Sequence, residues 1–252
     1  MKKTTHNVAA LIALFVFCMS FSIALAKDEP VKVVAETKVA AETKGARNEA
    51  LKIVNASRAV KEITAIPKRK IPPVLLKDAA AVIIFPKATK NSFMVSGGTT
   101  GGVLLVQDKA GTWSSPVFVT VSGGTLGWQI VGDPMDIVLL FKNIKHIDTI
   151  LKNRLTLDTK IAIVPGRAAL TMKGASKKEL DAEVTSYVLS HGSLSEESVV
   201  AGTTLQIDAA ANDLYYGKPK IDAGEILSGK ALKSAEEITT LQKLLSGYAA
   251  AK

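Results

Sequence analysis

Two segments carry the residue types that cradle phosphate: SGGTTG at 96–101 and SGGTLG at 122–127. A Walker loop needs Lys and Ser or Thr after its last glycine, and then a helix. Here Gly102 is followed by Val-Leu-Leu-Val and Gly127 by Trp-Gln-Ile-Val, both strand-like. Neither segment has the G-x-G-x-x-G spacing, and no helix N-terminus follows to face an anion. The repeated SGGT therefore reads as sheet architecture, where glycine permits bulges, twist and close backbone approach. A ligand-contacting glycine loop is the other reading.

Catalytic signatures are missing. The chain contains no G-x-S-x-G, S-x-x-K or H-E-x-x-H. His146 reads as a surface residue on a short helix, and His191 precedes a glycine in a turn. Asp133 and Asp136 in GDPMD could pair as acid and base, but the neighbouring Gly and Pro favour a turn. Glu196 and Glu197 sit in a Ser-rich loop and read as solvated. No catalytic residue, metal ligand or cofactor is expected, and the chain reads as a non-enzyme.

The basic residues are more informative. Between Lys68 and Lys90 stand six bases, Lys68, Arg69, Lys70, Lys77, Lys87 and Lys90, against one acid, Asp78. Prolines at 67, 72 and 73 stiffen the run. Such a run is either a solvated face or a surface for anions. Near an anionic membrane each Lys or Arg contributes on the order of 1 kcal/mol, so several acting together hold a protein weakly and salt-dependently.

The flanking elements must position that run. Residues 45–66 show helical spacing, with Ala46, Ala50, Ile53, Ser57, Val60 and Thr64 on one face; Pro67 ends the pattern. This face is rich in small residues, which favours a helix packed on its own domain over one lying on a membrane. From Ala79 the period changes. AAAVIIF, SFMVS, GVLLVQD, PVFVTVS, GWQIV and DIVLLFK are short runs rich in Val, Ile and Phe, punctuated by turn residues. They predict antiparallel strands in a meander or sandwich. LTLDTKIAIV alternates like a strand, with Leu155, Leu157, Thr159, Ile161 and Ile163 on one face. Residues 143–154 place Ile144, Ile147 and Leu151 on a helical stripe. Further strands are expected at AALTM, AEVTSYVL and TTLQIDA. Capping-box spacing recurs at Asp222–Glu225 and Ser234–Glu237. After the second, Ile238, Leu241, Leu245 and Tyr248 form a stripe that can cover a sheet. The expected fold class is α+β: an antiparallel sheet with flanking N- and C-terminal helices, in a single domain.

The N-terminus reads as an export signal. A basic MKKTTHN start precedes an apolar run ending Ala24-Leu25-Ala26, so residues 1–26 are expected to be removed, leaving a chain that starts at Lys27. Residues 27–44 carry an AETK repeat and read as a linker or loosely helical arm. Cys18, the one cysteine, falls in the signal, so the mature chain would hold neither disulfide nor thiolate site. The net charge of +9 falls to +7 with the loss of Lys2 and Lys3. A cationic exported protein meets anionic lipid and envelope polyanions rather than nucleic acid.

The order of motifs resembles the SYLF-domain family: IPPVLLKDAAAVIIFP, FMVSGGTTGGVLLVQD, GTWSSPVFVTVSGGTLGWQ, DIVLLF, VPGR, AEVTSYVLSHG, AANDLYYG and EILSG. GTWSSP at 111–116 and LYYG at 214–217 are the most specific pieces. The similarity covers 45–230, leaving 231–252 as a C-terminal helix. It implies a lipid-binding module, since eukaryotic members bind phosphoinositide membranes through an N-terminal amphipathic helix and basic residues. Yeast members also bind actin, which an envelope protein would not meet. Family members often carry a basic residue in the first glycine segment, where this chain has Thr99-Thr100. The loop Ser193-Leu-Ser-Glu-Glu-Ser198 is acidic where the family tends to be apolar. The resulting expectation is an exported, stand-alone module in the periplasm or cell envelope, peripheral to the membrane. Its anionic, phosphoinositide-like head groups would meet Lys68, Arg69, Lys70, Lys87 and Lys90. The alternative is a structural or partner-binding envelope protein without direct lipid recognition. Trp113 and Tyr216 are expected to be structural.

Overall fold

The computed structural model describes residues 30–65, 71–88, 100–122, 134–152, 154–157, 161, 163–165, 177–190, 193–195, 202–229 and 234–250. Chain contacts divide it into two units, Met1–Lys44 and Gly45–Lys252. In the first, residues 30–44 are helical, within the helix α1, Pro30–Ala65. The second holds everything else described below. The expected export signal, residues 1–26, lies outside the described residues.

Six more helices and nine strands follow α1 among the described residues. The order is α2 Pro73–Lys77, β1 Ala81–Ala88, β2 Thr100–Val106, β3 Val117–Ser122, β4 Met135–Phe141 and α3 Lys145–Lys152. Then come β5 Arg154–Thr156, β6 Ile163–Pro165, α4 Lys177–Asp181, β7 Val184–Ser190, β8 Ser193–Ser195 and β9 Thr204–Ile207. The chain closes with α5 Ala209–Tyr216, α6 Ala223–Leu227 and α7 Glu236–Ala249.

The strands form one sheet in the order β5-β9-β3-β2-β1-β4-β7-β6, with β8 on β7. Every pairing is antiparallel except β6 with β7. This is the expected α+β class, with a nested order in place of a simple meander: β1 lies between β2 and β4. LTLDTKIAIV, expected as one alternating strand, yields two separate short strands, β5 and β6.

Both sheet faces are covered, which explains the unbroken apolar runs. On one face Val82, Ile84, Val103, Leu105, Phe118, Val138 and Leu140 join Ile53, Val60 and Ile63 of α1, Tyr215 of α5, and Leu241 and Leu245 of α7. On the other, Ile83, Phe85, Leu104, Val119, Ile137 and Leu139 join Ile147 and Ile150 of α3 and Ile226 of α6.

Local chemistry fixes several element ends. Asp222 caps α6 by accepting from the Glu225 N–H at 3.1 Å, as its spacing predicts. The second expected box does not form: α7 has Ala235 at its N-cap, and Glu237 instead accepts from the Tyr215 hydroxyl at 2.8 Å. Asp208 caps α5, and Gly217 ends it with φ of 65°, the left-handed conformation glycine adopts at lowest cost. On α3 the buried residues are His146, Ile147 and Ile150, while Ile144 is exposed. The helix is rotated relative to the expected stripe because it lies on Phe141 and Leu155 below.

Candidate functional site

Of the five basic residues expected to meet lipid, the structure places Lys87. Lys68, Arg69, Lys70 and Lys90 lie outside the described residues. Lys87 stands exposed near the end of β1, at a bulge. Phe85 pairs with Ile137 and Ala88 with Met135, so Pro86 and Lys87 together oppose Asp136 alone. Pro86 has no N–H to lose there. Lys87 takes φ of 52°, in the left-handed region. Its N–H donates to Asp136 Oδ1 at 2.9 Å, replacing the ladder partner that the bulge removes.

Asp136 thus corrects the expectation of a turn residue. It sits within β4, its side chain only 7% exposed, and accepts two bonds from Arg58 Nη2 at 2.9 and 3.1 Å. Arg58 Nη1 also donates to Glu62 at 2.7 Å. Burial works against the Arg58 charge, but its bonds to Glu62 and Asp136 outweigh that, and its pKa is raised. The node ties α1 to the sheet beside the bulge. Asp133, the imagined partner of Asp136, lies outside the described residues.

The orientation of α1 follows. Ile53, Ser57 and Val60 are buried and Ala46, Ala50 and Thr64 half-buried, so the expected small-residue stripe faces the protein. The helix packs on its own domain, the first of the two readings above. A second stripe runs along the outside at steps of three and four: Arg47, Leu51, Val54, Arg58, Lys61 and Ala65. Leu51 is 50% exposed and Val54 49%. No sequence argument had singled out this stripe. The signal was there, but two apolar stripes on one helix cannot be ranked without knowing which meets the sheet.

The first glycine segment is architectural within its described part. A Cβ on Gly102 would stand 2.5 Å from both the Ile84 carbonyl oxygen and the Phe85 ring. One on Gly101 would stand 2.9 Å from Lys52 Nζ. The missing side chain leaves room for Lys52, whose ammonium pairs with Glu49 at 2.6 Å and lies 5.9 Å from the Phe118 ring centre. A basic side chain therefore reaches Gly101 from α1. Ser96–Thr99 and Gly123–Gly127 lie outside the described residues.

Trp113 and Tyr216 are built into the fold. Trp113 is buried in the α1-side core, and Gln242 of α7 donates to its carbonyl at 2.9 Å and to that of Ser114 at 3.0 Å. Tyr216 donates to the Pro116 carbonyl at 2.7 Å and stacks edge-on against Tyr215. Burial raises the Tyr216 pKa. Asn212, which no sequence argument singled out, is buried and takes the place of a strand: it accepts from the Phe118 N–H at 2.9 Å and donates back to the Phe118 carbonyl at 3.1 Å.

His146 also departs from expectation. It is buried on α3, against Phe141 and 3.7 Å from Glu183, which also binds Lys145. Burial lowers its pKa, Glu183 partly opposes this, and Lys145 lowers it further. His191, Glu196 and Glu197 lie outside the described residues. Among the described residues no group of three potential ligands is placed to hold a metal ion, and no helix is long and apolar enough to cross a membrane.

Known proteins bear on this arrangement. A family model described as "Ysc84: Las17-binding protein actin regulator" matches residues 122–248. The SH3 domain-containing YSC84-like protein 1 of Xenopus laevis is 26% identical over 187 residues, covering 72% of this chain and 55% of that protein. Protein YSC84 of Saccharomyces cerevisiae is 28% identical over 164 residues, covering 64% of this chain and 34% of that one. LAS seventeen-binding protein 3 of the same yeast is 27% identical over 163 residues, covering 64% and 35%. The chain spans about half the length of the first relative and about a third of the yeast ones. The family description speaks of binding and regulation, and the name of the last relative of binding. With the family match extending over half its length, from β3 to α7, this chain belongs to the Ysc84, or SYLF-domain, family.

Proposed function

We propose that this chain is a non-enzymatic lipid-binding module of the bacterial cell envelope, exported and peripheral to the membrane, which takes anionic, phosphoinositide-like head groups. Lys68, Arg69 and Lys70, with Lys87 and Lys90, meet the phosphates. The observation that carries this reading is the outer stripe of α1, where Leu51 and Val54 stand half-exposed between Arg47 and Lys61. In sequence the helix runs directly on toward Lys68-Arg69-Lys70. A helix lying in a membrane interface presents such a mixture of apolar and basic side chains.

Magnitudes rank the two contributions. Each base near an anionic surface is worth on the order of 1 kcal/mol. Leu51 and Val54, already half-covered, add about 1 kcal/mol each on full insertion. Charge therefore leads and insertion assists. A second reading is favoured by the family description: the sheet would be a scaffold for a protein partner, as "Las17-binding" says of proteins in that family. Actin itself is not expected to be the partner of an exported chain.

Vesicle flotation at fixed ionic strength separates the readings. The chain should float with phosphatidylglycerol-rich vesicles, stay behind with pure phosphatidylcholine, and be released by high salt. Changing Lys68, Arg69 and Lys70 together to Glu should abolish flotation with the fold intact. The pair Leu51→Ser and Val54→Ser should weaken it by up to about thirtyfold. If the Glu variant floats normally, the basic run is a solvated face and the partner-binding reading takes over.

A further inference from the structure

Two lysines take the left-handed backbone conformation among the described residues, Lys87 with φ of 52° and Lys220 with φ of 55°. Gly and Asn enter that region most readily. Each of these lysines is held there by an aspartate that accepts its N–H: Asp136 at 2.9 Å for Lys87, and Asp213 at 2.8 Å for Lys220. The surroundings differ. Asp213 also accepts from the Ile221 N–H and so closes a surface turn. Asp136 is buried and gripped by Arg58, on the outer stripe of α1. Its carboxylate joins three parts: the bulge in β1, strand β4 and helix α1.

A strained residue calls for a reason beyond the local turn. Glycine at position 87 would serve the backbone better, whereas lysine supplies an exposed cation. The bulge turns that cation out of the sheet, and the Asp136–Arg58 pair fixes the bulge against the helix. We propose that Asp136 is a positioning residue: by holding Lys87 in the left-handed conformation and Arg58 beside it, it sets the Lys87 ammonium in register with the outer stripe of α1 for one head-group phosphate. This inference rests on the lipid reading above and adds to it the device that fixes the spacing of its charges.

The test is a double-mutant cycle read by vesicle binding and by melting, on the full chain and with phosphatidylglycerol-rich vesicles. Lys87→Gly should bind about fivefold more weakly, the worth of one cation at an anionic surface, without a lower Tm. Lys220→Gly should bind as the parent does, and Lys87→Arg should restore binding. Asp136→Ala should weaken vesicle binding to a similar degree when Lys87 is present and add nothing in the Lys87→Gly background. If Asp136→Ala does not fold, Asp136→Ser, too short to reach both partners, takes its place in the cycle. A merely structural Asp136 would lower affinity equally in both backgrounds, and that result overturns the inference while leaving the lipid reading standing. A parent chain that ignores anionic vesicles removes both.

Discussion

Two parts of the Gly45–Lys252 unit are tied to their helices in opposite ways. At the hairpin of β2 and β3, neutral groups do the work: Gln242 of α7 reaches the Trp113 and Ser114 carbonyls, and Tyr216 of α5 reaches that of Pro116. At the β1–β4 bulge, charge does it: Arg58 of α1 grips buried Asp136, which holds the Lys87 N–H. The neutral knot is closed in on itself, and its donors go to backbone carbonyls. The charged knot is half open, with the Arg58 side chain 36% exposed and Lys87 at the surface. The first serves the fold. The second can also serve a surface, because its cations remain within reach of outside anions.

The comparison breaks most visibly at Trp113. Trp113→Ala removes a large, fully buried ring, which typically costs about 3–5 kcal/mol. For a unit of this size that lowers Tm by roughly 10 °C. Vesicle binding of the fraction that stays folded should not change. A variant that melts normally but loses binding would make Trp113 a contact residue and erase the distinction between the two knots.

Arg58→Met attacks the other knot and should cost less. It leaves the Asp136 carboxylate buried without its cation, a loss of about 2–3 kcal/mol once the partial exposure of Arg58 is allowed for. Methionine keeps the packing of the stem against the sheet. Chemical denaturation measures the loss. Adding Asp136→Leu should recover part of it: an apolar pair often replaces a buried ion pair at little cost, while the Lys87 N–H loses its acceptor. Recovery of stability without recovery of vesicle binding would sharpen the contrast, separating what the charged knot does for the fold from what it does for the surface.

The two knots were not equally legible. GTWSSP and LYYG stood out in the sequence, and the strand-like runs gave β1 to β4, β7 and β9 because Val, Ile and Phe cluster there. The helix 45–66 and its inward stripe were legible as well, since Ile53 and Val60 recur at helical spacing. Arg58 and Asp136 were not: they stand 78 residues apart, and nothing local in GDPMD says that its second aspartate enters a strand. Helix α5 was also missed. Its AAANDLYY sequence has little apolar periodicity, and its key residue, Asn212, works through long-range bonds to Phe118. The nested strand order was hidden for the same reason, since each pairing depends on residues far apart in the chain.

The smallest expected effect lies in neither knot, and it serves as their baseline. His146 packs under α3 with its pKa lowered by burial, partly offset by Glu183 and deepened by Lys145. In the unfolded chain the imidazole takes up its proton at the ordinary value, about 6.5. The unfolded state therefore binds more protons than the folded one just below that pH. Stability is complete above about pH 6.5 and declines as the pH falls toward the lowered folded value. One proton limits the slope to about 1.4 kcal/mol per pH unit. His146→Gln, which fills similar space without titrating there, should flatten the Tm profile between pH 7 and 5, read as the difference between parent and variant. A slope unchanged in His146→Gln would mean that protonated His146 gains from Glu183 all that burial costs it.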